Sequence, residues 1–247
     1  MVTRDLVWDG CINVRDLGGL PTEDGGQTRH GSVIRADSVG LLSRNGWEAV
    51  AEAGVTRIVD LRQEFQAVDD PPREFAIDVV DVPIFEDLDD EDWATVEALA
   101  AGAPTNADSQ RLVYLHFLER ARDRFVAAVA AVAEAPNGAV VVHCHGGKDR
   151  TGIVVALLLR LAGVPIDEIA TDYALSGERL RPRHEQWFAS AESDEERARI
   201  ERIAATPAQA MRAVLEAIDR QYGGVDRYLI DGGLPADVLE AARRRLR

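Results

Sequence analysis

The run Val140-Val141-Val142-His143-Cys144-His145-Gly146-Gly147-Lys148-Asp149-Arg150-Thr151-Gly152 constrains this chain more than any other. An apolar, β-branched segment follows the turn signal Pro136-Asn137-Gly138, as a buried strand does. Ile153 to Leu161 is apolar nearly all round, as a central buried helix is. Strand, loop and helix in that order put the polar residues at a strand's carboxyl end and a helix's amino end, which is the geometry of an α/β sheet with its site on one edge.

That position has chemical consequences. Unpaired helix N–H groups and successive loop amides make a concave, electropositive nest suited to a phosphate. Gly146 and Gly147 let the backbone turn inward. A cysteine in such a field, with Lys148 and Arg150 beside it, is favoured as the thiolate nucleophile, and Cys144 stands there. Five residues separate Cys144 from Arg150, so the loop can curl until a planar guanidinium grips two oxygens of a phosphoryl group whose phosphorus faces the sulfur.

Cys144, five residues, Arg150 and Thr151 resemble the Cys-x5-Arg-Ser/Thr signature of cysteine-dependent phosphatases. More narrowly, residues 143–152 resemble the HCxxGKDRTG loop of bacterial tyrosine phosphatases that also act on phosphoserine, phosphothreonine and phosphoinositides. Asn13-Val14-Arg15-Asp16-Leu17-Gly18-Gly19 and Val59-Asp60-Leu61-Arg62 match that family too, so the likeness runs over most of the chain. Other chemistries fit less well. A Walker loop needs a glycine where Val142 stands and Ser or Thr where Asp149 stands. Adjacent His143, Cys144 and His145 on an extended segment point to opposite faces and have no second nearby cysteine, a poor metal site. A sulfurtransferase has no use for the Lys-Asp-Arg-Thr continuation.

The resemblance implies a metal-independent phosphomonoesterase without cofactor. Cys144 would be the nucleophile, while Arg150, with His145, Gly146, Gly147, Lys148 and Thr151, would bind the transferred group. Asp149 is the expected general acid, because it sits inside the loop and the family carries Asp there; Asp60 and Asp87 are its rivals. Thr151 is expected to donate its hydroxyl to the sulfur, and His143 to orient the loop by bonding to backbone. Lys148 and His145 supply more cationic capacity than one phosphate needs, which argues for broad specificity that includes phosphorylated proteins and phosphoinositides. The alternative is a catalytically silent phosphate-binding module, against which the joint presence of Cys144 and Arg150 argues. Cys11 reads as a small buried residue; the alternative, since the N-terminal motif belongs with the active loop by resemblance, is a reversible disulfide with Cys144 that protects the nucleophile.

The expected fold is a three-layer α/β/α arrangement with a mainly parallel sheet of four or five strands and an all-helical C-terminal addition. Its 247 residues read as a single domain, and the resemblance implies a helical lid or cap over about 176–223. A net charge of −15 repels nucleic acid and anionic membranes at long range. Met1 to Gly10 lack a signal-peptide pattern, no stretch is long and apolar enough for an integral membrane segment, and two distant cysteines suit a reducing compartment, so the expected location is cytoplasmic, with non-classical export left open.

In chain order, strands are expected at 32–37, 57–61, 77–85 and 139–142, with Pro71-Pro72 breaking the chain before the third. Ser43 caps a short helix ending at Gly54. Arg15 and Asp16 are expected to brace loop backbone. Glu86 to Asp92 leads as solvated charge into a helix at 93–101, Asp87 alone having a candidate catalytic role. After a flexible link at 101–107 comes one long helix over 109–135, on which Tyr114 and His116 read as packing or surface residues. Beyond 161 the pattern is helical at 166–175, 178–189, 194–204, 207–222, 225–230 and 236–246, and Arg179, Arg181, Arg183 and His184 read as a solvated face.

Overall fold

The computed structural model describes residues 3–70 and 76–247. The Pro71-Pro72 break and Met1 lie outside the described residues. Among the described residues five strands form one sheet: β1 (Arg15–Asp16), β2 (Val33–Ala36), β3 (Val55–Asp60), β4 (Asp78–Asp81) and β5 (Ala139–His143). Their spatial order is β1-β2-β5-β3-β4, with β1 antiparallel to β2 and every other pair parallel. β5, the last strand in the chain, therefore lies at the centre.

Because both faces of a parallel sheet are covered, alternate residues of each strand enter different cores. Ile34, Ala36, Ile58, Ala139 and Val141 pack with Trp8, Trp47 and Val50 on one face. That face is covered by α1 (Arg44–Glu52), whose N-cap Ser43 accepts from the Gly46 amide. Val33, Val59, Val140 and Val142 enter the larger core on the other face, beneath α4 (Arg122–Ala133) and α5 (Asp149–Leu161). The result is the three-layer α/β/α architecture expected from the sequence, with the remaining helices gathered around the second face.

Those helices are α2 (Asp90–Gly102), α3 (Asn106–Arg120), α6 (Ile166–Ala189), α7 (Asp194–Ala204), α8 (Ala208–Tyr222), α9 (Val225–Asp231) and α10 (Ala236–Leu246). Their starts follow side-chain caps that are local in sequence. Asp89 and Asp92 form a capping box for α2, and Thr105 and Ser193 cap α3 and α7. The capped start of α3 leaves only a short connection where the sequence suggested a flexible link over 101–107.

Three boundaries differ from expectation. The strand expected over 77–85 ends at Asp81, since Pro83 has no N–H for a ladder and the chain then turns. The single helix expected over 109–135 is two, α3 and α4, divided at Ala121, where φ is −114° and ψ 30°. Conversely, the two helices expected at 166–175 and 178–189 are one. Gly177 does not end it: a Cβ there would come 2.1 Å from Thr206 Oγ1, so the glycine admits a packed neighbour instead of breaking the helix. α6 also runs through Pro182, which offers no N–H to the turn before it. Among the described residues no helix is long and apolar enough to cross a membrane.

Candidate active site

β5 ends at His143 and α5 begins at Asp149, so Cys144 to Lys148 form the loop at the carboxyl edge of the central strand. The loop's carbonyls are held from outside. Asn13 Nδ2 donates to Gly146 O (2.9 Å) and Gly147 O (3.2 Å), and Arg35 Nη2 donates to Gly147 O (2.7 Å). Pulling those oxygens outward turns the peptide planes, so the N–H side faces the concave interior, where α5 adds the unpaired amides of its first turn. Gly147 is required by geometry: its φ is +63°, and a Cβ would meet Ala36 O at 2.3 Å. Gly146 carries no such demand, since a Cβ would make only ordinary contact with Leu180.

Cys144 is 2% exposed and free, at the floor of this loop. Arg150 lies on the first turn of α5 and is held by one of its nitrogens. Nη1 donates to Leu61 O (3.2 Å), Gln63 Oε1 (2.7 Å) and Gln66 Oε1 (2.7 Å), and the guanidinium lies 5.2 Å from the centre of the Phe85 ring. Nε and Nη2 have no protein acceptor among the described residues, which leaves one edge of the fork for two oxygens of a phosphoryl group. Gln63 and Gln66 had no sequence signal pointing to this role; each belongs to a single 3-10 turn whose own residues bond reciprocally.

Asp149 is partly exposed, and its Oδ1 accepts from Tyr114 Oη (2.5 Å) and Gln110 Nε2 (2.8 Å), both on α3, with Lys148 Nζ at 3.2 Å. Tyr114 therefore does more than pack, contrary to its sequence reading. Its hydroxyl is kept protonated by burial and by the neighbouring Asp149, which hold its pKa well above the usual value, and it meets Tyr173 Oη at 2.9 Å. The rival acids sit differently. Burial would raise the pKa of Asp60, but His143 and Arg62 outweigh it and hold the carboxyl below the usual range; Arg62 bonds both its oxygens. Asp87 is exposed and bound to Arg124 Nε at 2.7 Å, which lowers its pKa.

Other residues read from the sequence settle as follows. His143 Nδ1 lies 3.2 Å from Cys144 O, with Nε2 3.4 Å from Asp60. Thr151 Oγ1 is buried and has no hydrogen-bond partner among the described residues. Lys148 is 3% exposed, and its ammonium donates to Ile203 O and to Ala205 O (3.1 Å) at the end of α7, so it is spent on holding that helix as well as on Asp149. His145 has its pKa lowered by burial, then by Arg150 and Arg183, so it is poorly disposed to add the positive charge expected of it. Cys11 is half-buried, and its thiol donates to Ser38 O (3.3 Å); burial and Asp37 raise its pKa, disfavouring the thiolate.

The basic group on α6 is not a solvated face. Arg183 pairs with the buried Asp37 at 2.7 Å, and Arg179 donates to Val14 O and Asp5; Arg181 alone of the three arginines lies out in solvent, near Glu185. The N-terminal motif is fixed to the same helix more deeply. Asp172, 1% exposed, accepts from Arg15 Nε (3.0 Å) and Arg35 Nη1 (2.8 Å) and also binds Arg4. Arg15 thus braces Asn13, which holds the loop, while Asp16 accepts from the Gly18 and Gly31 amides at 2.9 Å.

Beside Asp149 and Arg150 opens a cavity of about 450 Å³. Phe85, Trp93, Val96 and Phe117 form its apolar wall, and Arg199 and Arg202 of α7 stand across it. The edge-to-face rings of Phe85 and Trp93, 5.5 Å apart, stiffen that wall.

A profile of the tyrosine phosphatase family matches residues 6–247. The chain is 31% identical to a provisionally named tyrosine-protein phosphatase of Cupriavidus necator, over 96% of this chain and 86% of that protein. It is 29% identical to a tyrosine-protein phosphatase of Nostoc commune, over 87% and 74%. With the triple specificity protein phosphatase PtpB of Mycobacterium tuberculosis it shares 27% identity over 98% of each. A family match spanning nearly every residue, on a fold that sets a Cys-x5-Arg loop at the end of the central strand, leads to one conclusion: the chain belongs to the tyrosine phosphatase family.

Proposed function

We propose that this phosphatase hydrolyses phosphomonoesters through a phosphocysteine, with Cys144 as nucleophile, Arg150 as phosphate clamp and Asp149 as general acid. The observation that carries the reading is the half-engaged Arg150 fork above a loop whose carbonyls are drawn outward by Asn13 and Arg35. The Cys144 sulfur attacks phosphorus in line, and the S–P bond forms as the P–O bond to the leaving group breaks. The amides and Arg150 hold the equatorial oxygens, and Asp149 gives its proton to the departing oxygen. Asp149 then takes a proton from water, whose oxygen attacks phosphorus and releases phosphate and the thiolate. The unpartnered Thr151 hydroxyl is suited to donate to that sulfur. Within the expected lid region of 176–223, the second half of α6 together with α7 covers the site.

Broad specificity draws support from the cavity, whose aromatic wall accepts a tyrosyl ring and whose Arg199 and Arg202 accept further negative charge, and from a relative named for triple specificity. Lys148 and His145 lend it less than their place in the loop suggests. Phosphotyrosine peptides are the primary expected substrates, with phosphoserine, phosphothreonine and phosphoinositides within range.

Rapid quenching during turnover, followed by mass spectrometry, should locate phosphate on Cys144. Cys144→Ser should abolish hydrolysis of para-nitrophenyl phosphate while still binding phosphate analogues, and Arg150→Lys should lose most activity because an ammonium lacks the paired donors. Phosphate recovered on a histidine or an aspartate would overturn the mechanism.

A further inference from the structure

A second cavity of about 450 Å³ lies at the opposite edge of the sheet. Gly31 and Ser32, just before β2, and Gly138, just before β5, form its floor, and Arg29, Arg244 and Arg245 stand around it. β5 is five residues long, so roughly 17 Å of strand separates this cavity from the catalytic loop, at about 3.3 Å per residue.

Three arginines converge there with no carboxylate in the lining, in a chain with 43 acidic and 28 basic side chains. Two neighbouring arginines of the C-terminal segment do meet acids: Arg243 pairs with Asp226, and Arg247 with Asp24. The side chains of Arg29 and Arg244 make no hydrogen bond or ion pair among the described residues. Arg245 is partly committed. Its Nη atoms donate to Gly138 O (3.1 Å), Pro136 O (3.0 Å) and Ala135 O, but its Nε is buried without a partner. Burial first, and then Arg57 and Arg29, lower the pKa of Arg245, the sign of a cationic charge that its surroundings do not compensate. The framework beneath is fixed, because the Arg29 amide donates to Leu246 O and Ser32 Oγ to Arg245 O, tying the end of α10 to the sheet.

We propose that this cavity is a second anion site, taking a small polyanion with two or more phosphate or carboxylate groups. Guanidinium forks recognise those planar or tetrahedral oxygen sets, and the two uncommitted forks of Arg29 and Arg244, with the charge of Arg245 beside them, call for more than one anionic group. The volume suits a small molecule, and the chain's net charge of −15 disfavours nucleic acid or any long polyanion. Because α10 and the starts of β2 and β5 all line the site, the bound anion bridges the C-terminal helix to the sheet and stabilises the folded chain.

The proposal is independent of the catalytic reading. Methylenediphosphonate, which resists hydrolysis, is titrated calorimetrically into the full chain carrying Arg150→Ala, which weakens the catalytic loop's own grip on anions. Saturable binding of one anion per chain is expected, weakening with added salt, and lost by about tenfold or more when Arg29→Ala and Arg244→Ala are added. In an otherwise native chain that double variant should hydrolyse para-nitrophenyl phosphate at the native rate, which reports an intact fold. Should it fail to fold, Arg244→Gln alone, at an exposed helical position, must show the same loss to a smaller degree. No saturable binding in the millimolar range, or binding indifferent to these arginines, overturns the site.

Discussion

Asp149 owes its candidacy to neighbours far away in the chain. The loop sequence alone brings it near a leaving group, but Gln110 and Tyr114 aim its carboxylate toward the aromatic cavity. General acids matter most for poor leaving groups, so Asp149→Asn should slow alkyl phosphates at least tenfold more than aryl phosphates with acidic phenols. The same selectivity appearing in Asp87→Asn, and not in Asp149→Asn, would reassign the acid. His145 gives a pH test. With its pKa lowered from an ordinary 6.5, it is neutral in the fold wherever a free histidine is neutral. Below 6.5 the unfolded chain gains a proton that the folded one resists, so the contribution of His145 to stability is complete above that pH and declines as pH falls. A proton NMR titration should find its midpoint below 6.5 in the free protein, and a midpoint above that value would contradict the burial argument. The placing of Cys144, Arg150 and Thr151 together at one strand-to-helix loop was legible in the sequence because they are neighbours in the chain. Gln63, Gln66, Gln110 and Tyr114 were not, because only the tertiary fold delivers them to the loop.

Among elements, the pair β5 and α5 was easiest to read, since an apolar run, a glycine-bearing turn and a second apolar run are local facts. α6 was misread as two helices because the reason for Gly177 is Thr206, a contact that no pattern within the helix encodes. The division between α3 and α4 at Ala121 carries no Gly or Pro and left no mark to read. α7 is attached to the catalytic loop by Lys148, whose ammonium holds the carbonyls of Ile203 and Ala205. Lys148→Ala should therefore free the end of this helix. Amide hydrogen exchange over 194–206 should accelerate, and kcat/KM should fall by a similar factor for phosphotyrosine peptides and phosphoinositides. A loss confined to phosphoinositides, with exchange unchanged, would instead make Lys148 a headgroup contact.

For the whole molecule, the unbroken apolar run before the loop foretold a sheet with two covered faces, whereas the strand order depends on pairings across the length of the chain. The buried cluster of Arg15, Arg35 and Asp172 joins the N-terminal segment, β2 and α6 behind the catalytic loop. Burial opposes charge on Asp172, but Arg15, Arg35 and Arg4 outweigh it and hold its pKa below the ordinary 3.8, so this support is present above that pH and is lost as the solution becomes more acidic. Asp172→Ala leaves two buried arginines uncompensated and should cost about 3–5 kcal/mol in denaturant unfolding; a cost under about 1 kcal/mol would mean that water reaches the cluster.

The central place of β5 also sets an order of events during synthesis. β2 and β3 leave the ribosome early, yet neither is the other's neighbour, and the gap between them stays open until Ala139–His143 arrives to pair with both. Such distant pairings close large loops and are slow. The nascent chain consequently carries no shaped catalytic pocket, and because Cys144 directly follows the strand that completes the sheet, its thiol emerges only as the sheet that will enclose it can close.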